Sequence, residues 1–131
     1  MSSSNNYKNQ SLGQSFKNAF NGVRLAFLSE RNFRIHMCAT VLVIIAGIIL
    51  NIDLVRWALL TLAIGLVLAS ELVNTSIERL SDMVMEEYSE KVRIVKDLGA
   101  GAVLVSAIIS AVTGVLVFLG PILDFISGWI K

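Results

Sequence analysis

Three apolar runs, each long enough to cross a bilayer, take up most of the 131-residue chain. A helix spanning ~30 Å of hydrocarbon needs about 20 mostly apolar residues. Ile35 to Ile52 form the first run, interrupted only by His36, Thr40 and Asn51. The second extends from Leu54 to about Leu80 and turns polar after Ser70. The third extends from Leu98 to Leu119 and meets Gly120–Pro121, a pair that ordinarily stops a helix. Composition points the same way. The apolar fraction of 55% and mean hydropathy of +0.72 exceed the ~45–50% apolar content of an average soluble domain. So short a chain has too little interior to hide that excess from water. The expected fold is therefore an all-α membrane protein with three transmembrane helices. The link around Asp53 is so short that the first two must form an antiparallel hairpin.

Basic residues set the expected orientation. Lys8, Lys17, Arg24, Arg31 and Arg34 precede the first span, and Arg79, Lys91, Arg93 and Lys96 lie at or after the end of the second. Only Arg56 and Lys131 fall on the other side. This places the N-terminus and the loop from about Met83 to Val95 in the cytoplasm and the C-terminus outside. The net charge of +1 carries no nucleic-acid footprint. Cys38, the single cysteine, forms no intrachain disulfide. The first fifteen residues are rich in Ser, Asn and Gln, with no secretory signal pattern, and read as a disordered polar tail.

From residue 16 to about 33, Phe16, Ala19, Phe20, Val23 and Phe27 recur at helical spacing, with Lys17, Asn18, Asn21 and Arg24 around the other side. This is the pattern of an amphipathic helix lying on the inner leaflet, although a helix packed on protein would share it. Residues 121–131, with Trp129, are too short to span and read as an outer interfacial tail. In the third span Ala102, Ser106, Ser110 and Gly114 make a row of small residues that lets helices approach closely, within one chain or between chains. Three helices enclose little interior, which favours a homo-oligomer.

The chemistry concentrates at the end of the second span, in E-L-V-N-T-S-I-E-R-L-S-D, Glu71 to Asp82. At 100° per residue, Glu71, Asn74, Thr75, Glu78 and Asp82 share one sector of the helix over roughly 16 Å. Glu71 lies roughly 25 Å along the span from Leu54, just beneath the inner headgroups. An acidic side chain inside a membrane helix costs on the order of 2.5–3.5 kcal/mol at the bilayer centre, and such residues are rare except at functional sites. The structural alternative is an ion pair from Glu71 to Arg24, Arg34 or Lys96. Lys96–Asp97 opens the third span, where free N–H groups favour phosphate. Glu30 and Arg34, one turn apart, read as an ion pair. His36 reads as an interfacial hydrogen-bonding residue. Carboxylates at this level can hold Mg²⁺ on nucleotide phosphates. One withdrawn from water can take a proton from an alcohol, and a lysine can neutralise a transferring phosphoryl group. The sequence has no G-x-x-x-x-G-K-[ST] loop.

At these residues the chain resembles the prokaryotic diacylglycerol kinase family, which includes undecaprenol kinases. The segment from Glu71 to Asp82 is similar throughout to the family signature E-x-x-N-[ST]-[AS]-I-E-x-x-x-D. V-K-D-L-G-A-G-A-V, Val95 to Val103, is similar to a second family segment, and S-E-R-N-F-R-I-H, Ser29 to His36, looks most like the undecaprenol kinase branch. The resemblance implies a homotrimer in the bacterial cell membrane, with active sites shared between neighbours at the cytoplasmic face. It implies a lipid alcohol and ATP as substrates, undecaprenol before diacylglycerol. By position, Glu71 would be the general base with Asn74 beside it, Glu30 and Glu78 would hold Mg²⁺, and Asp82, Lys96 and Asp97 would contact the nucleotide. Two other classes compete. A small proton-coupled transporter also uses an intramembrane acid, but Glu71 lies near one face rather than at the midplane. A non-catalytic membrane subunit leaves the alignment of Glu71, Asn74 and Glu78 without a purpose.

Overall fold

The computed structural model describes residues 11–84 and 89–129, and among them there is no strand. Four helices follow in order: α1 (Leu12–Ser29), α2 (Arg31–Ile49), α3 (Leu54–Val84) and α4 (Glu90–Trp129). The last three are long and apolar enough to cross a membrane. The protein is an all-α, multi-pass membrane protein, as its hydropathy requires. The expectation for the first ten residues lies outside the described ones. Ser11 caps α1, its hydroxyl accepting from the Gln14 N–H at 3.3 Å. Leu12 to Ser15 are thus helical, and α1 starts earlier than its apolar periodicity indicates.

α1 ends where the chain turns extended at Glu30 (φ −101°, ψ 118°), and α2 begins at the next residue. The Glu30 N–H closes the last turn of α1 onto the Ala26 carbonyl at 2.8 Å, and the Arg34 guanidinium donates to the Leu28 carbonyl at 3.0 Å. Phe16 and Phe20 project from α1, 77% and 71% exposed. Ala26 is buried beneath it.

The turn between α2 and α3 is a Schellman motif. Ile52 N–H reaches the Gly47 carbonyl and Asn51 N–H the Ile48 carbonyl, both at 3.2 Å. Asn51 sits at φ 47°, in the left-handed region that Asn tolerates better than branched residues. A Cβ on Gly47 would lie 2.8 Å from the Trp57 ring and 3.1 Å from Ile52, so only glycine lets the hairpin close here. Ile52, Leu60 and Val117 form a small buried cluster beneath the turn. Asp53 caps α3: the Arg56 N–H donates to its carboxylate at 3.0 Å. That backbone bond, with the Arg56 guanidinium beside it, holds the Asp53 carboxyl below the usual carboxylate range. The cap is present above the ordinary carboxylate pKa and is lost as pH falls through the lowered folded value. Asn51→Ile should destabilise the protein by about 1–2 kcal/mol through the left-handed backbone alone, read as a lower Tm in detergent. Asn51→Gly should not.

α4 departs from expectation at both ends. It begins at Glu90 rather than Leu98, and it continues through Gly120–Pro121 to Trp129. Proline removes one intrahelical bond, but abandoning the helix in an apolar environment would strand many more backbone groups. The segment from residue 121 to Trp129 is therefore helix. The Trp129 side chain lies outside the described part. Two members of the small-residue row serve packing within the chain. Ser106 is buried with its hydroxyl 2.7 Å from that of Ser70, and Ser110 donates to the Ala63 carbonyl at 2.9 Å.

Candidate active site

One face of α3 is polar and buried where α1, α2 and α4 converge on it. Glu71 is 3% exposed, and Asn74 and Thr75 are each 8% exposed. The Asn74 amide donates to Glu78 Oε1 at 2.9 Å, one helical turn on. Glycine in α4 creates this closeness: a Cβ on Gly99 would lie 2.5 Å from Asn74 Oδ1. Two atoms of the cluster, Glu71 Oε1 and Asn74 Oδ1, are buried without a hydrogen-bond donor. Buried acceptors without a donor are costly.

The partner of Glu71 is none of Arg24, Arg34 or Lys96. His36 Nε2 from α2 stands 3.4 Å from Glu71 Oε1, an ion-pair distance without the alignment of a hydrogen bond. Besides His36, Glu78 and Glu30 are near enough to act electrostatically on Glu71. Asn74 and Glu78 are joined on α3 within two turns of Glu71, and Glu30 is tied to the same helix through Arg79. The expected Glu30–Arg34 pair does not form, because Glu30 lies in the extended break and not on the face of α2. Glu30 Oε1 instead accepts from Arg79 of α3 at 3.3 Å and from Ser29 at 2.8 Å, and Arg79 also reaches Ser29 at 2.6 Å. His36 and Arg79 are the members that sequence reasoning left out.

The remaining candidates stand further out. Lys96 pairs with Asp82 across α3 and α4, joining two candidates on the site's outer edge. Asp97 is turned to Arg93 at 2.9 Å. Neither Lys96 nor Asp97 lies at a helix N-terminus, because α4 starts at Glu90. Free helix N–H groups therefore do not lie at Lys96 or Asp97, and the cationic group that this pair offers a phosphate is the Lys96 ammonium. Among the described residues no three His, Cys, Asp or Glu side chains converge as a metal cage. The hard oxygens of Glu30 and Glu78 fit Mg²⁺ that arrives on phosphates, since that ion needs only one or two protein carboxylates.

A model of the prokaryotic diacylglycerol kinase family matches residues 17–118. The chain is similar to a diacylglycerol kinase of Synechocystis, 40% identical over 111 residues that cover 84% of this chain and 63% of that one. It is similar to an undecaprenol kinase of Bacillus subtilis, 36% identical over 106 residues covering 81% of this chain and 86% of the other. A diacylglycerol kinase of Escherichia coli is 32% identical over 95 residues, 72% of this chain and 78% of that one. The chain therefore spans under two thirds of the Synechocystis relative and most of the other two. With the buried acid, the amide and the second carboxylate in place on a membrane-spanning helix, the chain belongs to the prokaryotic diacylglycerol kinase family of lipid kinases.

Proposed function

We propose that the protein transfers the γ-phosphate of MgATP to a lipid alcohol at the cytoplasmic face of the bacterial membrane, with undecaprenol as the favoured acceptor. The observation that carries this reading is Glu71: a carboxylate 3% exposed, its Oε1 without a donor, beside the Asn74–Glu78 pair. A lipid alcohol keeps its tail in the bilayer and brings its hydroxyl to the depth of Glu71. Glu71 takes the hydroxyl proton as the oxygen attacks the γ-phosphorus in line and ADP leaves. Asn74 orients Glu78. Glu30 and Glu78 would hold the Mg²⁺ of MgATP, which would neutralise charge on the phosphates. Asp82, Lys96 and Asp97 face the nucleotide, Lys96 countering the charge on the phosphates. The basic residues before α2 and after α3 support an inside N-terminus.

Undecaprenol is preferred over diacylglycerol because Ser29 to His36 looks most like the undecaprenol kinase branch and the Bacillus relative carries that name. The Synechocystis and Escherichia names make diacylglycerol the second acceptor to test. Purified protein incubated with γ-labelled ATP and Mg²⁺ should place label in extracted undecaprenyl phosphate faster than in phosphatidic acid. Label in neither lipid would sink the kinase reading. Faster label in phosphatidic acid would reverse the acceptor preference.

The working unit is a homotrimer with sites shared between neighbours. The support for it is the family resemblance and the little interior that three helices enclose, while Leu62, Leu66 and Val73 of α3, exposed in the single chain, can meet either lipid or a neighbour. Glu71→Gln chains mixed with Lys96→Ala chains should recover activity that neither variant has alone. No recovery would place each whole site within one subunit.

A further inference from the structure

Each turnover delivers one proton to Glu71, and Glu71 must shed it before the next. Its side chain is 3% exposed, so it has no direct exit to water. The charged groups that act on it come from three elements: His36 of α2, Glu78 of α3 itself, and Glu30 at the joint of α1 and α2. Glu30 and Glu78 are engaged elsewhere, by Arg79 and Asn74. His36 differs from both. Its Nε2 stands 3.4 Å from Glu71 Oε1, while the side chain is 25% exposed. It thus touches the buried acid and its more open surroundings together. A groove of about 220 Å³ between α2, α3 and α4 is lined by His36, Thr40, Val67 and Ser110, and α4 contributes no acid or base to it. An imidazole accepts a proton at one nitrogen and releases another from the second, which a carboxylate does not do.

We propose that His36 relays the catalytic proton from Glu71 to water. It is a positioning residue that acts through the base, and the inference rests on the kinase reading above. The lipid O–H bond breaks as the new O–P bond forms and the bond from the γ-phosphorus to the bridging oxygen of ADP breaks, and the proton moves to Glu71 while ADP leaves. It then passes to Nε2 of the neutral imidazole, Glu71 returns to carboxylate, and the Nδ1 proton leaves to water. Exchange with water restores the starting tautomer. No oxidant or further reactant enters.

The chain has one histidine, so its ring can be followed without ambiguity. In His36→Gln and His36→Ala, KM for lipid and ATP should stay within about twofold while kcat falls roughly tenfold or more. Added imidazole should restore part of the kcat of His36→Ala and none of that of Glu71→Gln. In ¹⁵N-histidine-labelled protein, Glu71→Gln should move the ring nitrogen signals. An unchanged kcat in His36→Gln, or a loss in His36→Ala that imidazole does not relieve, would overturn the relay. Ring signals indifferent to Glu71→Gln would overturn the contact itself. A wild-type protein that labels neither lipid would fail the kinase reading instead, a result distinguishable from both.

Discussion

Glu71→Gln is expected to lower the rate of lipid phosphorylation by about 10²–10⁴-fold, the range over which a positioned base accelerates proton transfer. The substitution keeps the shape of the side chain and removes only its basicity. The variant should insert, assemble and bind nucleotide as the parent does. Its thermal stability in detergent should be no lower, because a neutral amide is easier to bury than a carboxylate that lacks a donor. Steady-state kinetics and size-exclusion chromatography check the two halves separately. Turnover near the wild-type rate would strip Glu71 of its role, and loss of assembly would make it a structural residue.

Gly99→Ala should also be damaging, though less so, for a steric reason. The added methyl would lie 2.5 Å from Asn74 Oδ1, far inside contact distance. Either α4 moves off α3 or Asn74 is driven from Glu78, whose oxygen it now holds at 2.9 Å. Overpacking of this kind costs about 1–3 kcal/mol, and the displaced amide should take with it roughly tenfold or more of kcat. Gly101→Ala, whose methyl meets nothing within 4 Å, is the control and should change little. The decisive variant is Asn74→Ala/Gly99→Ala. Removing the amide makes room for the methyl, so the double variant should be more stable than the sum of the singles by about 0.5–3 kcal/mol. Simple additivity would mean that the two side chains do not meet.

What the chain reveals before folding follows from helical rise and helical angle. The three spans were legible because about 20 apolar residues have few other fates. Glu71, Asn74 and Glu78 were legible as one face because 100° per residue is fixed by the backbone. Contacts between helices were not, since they depend on the register of a hairpin. The pairing of His36 with Glu71 did leave a trace. Counting from the turn, His36 lies 15 residues before Asn51 and Glu71 lies 18 after Asp53, roughly 22 and 27 Å along their helices and so at similar depth. The partnership of Arg79 with Glu30 left none, because the extended backbone at Glu30 turns its side chain toward α3. Gly120–Pro121 misled for a different reason: rules for helix ends come from proteins in water, where freed carbonyls find solvent. Lys96 and Asp97 seemed to begin a helix only because the apolar run begins there, two turns after the backbone has already coiled.

The extended residue between α1 and α2 ties the catalyst to its surroundings. Glu30, the carboxylate proposed to hold Mg²⁺, is also the extended joint between α1 and α2, a helix long and apolar enough to cross a membrane. Any force that tips α1, whether from lateral pressure or from crowding among the headgroups, bears on that carboxylate and on its grip on Arg79. On the proposed kinase reading, a thinner or more tightly stressed membrane should therefore retune the rate with no allosteric ligand involved.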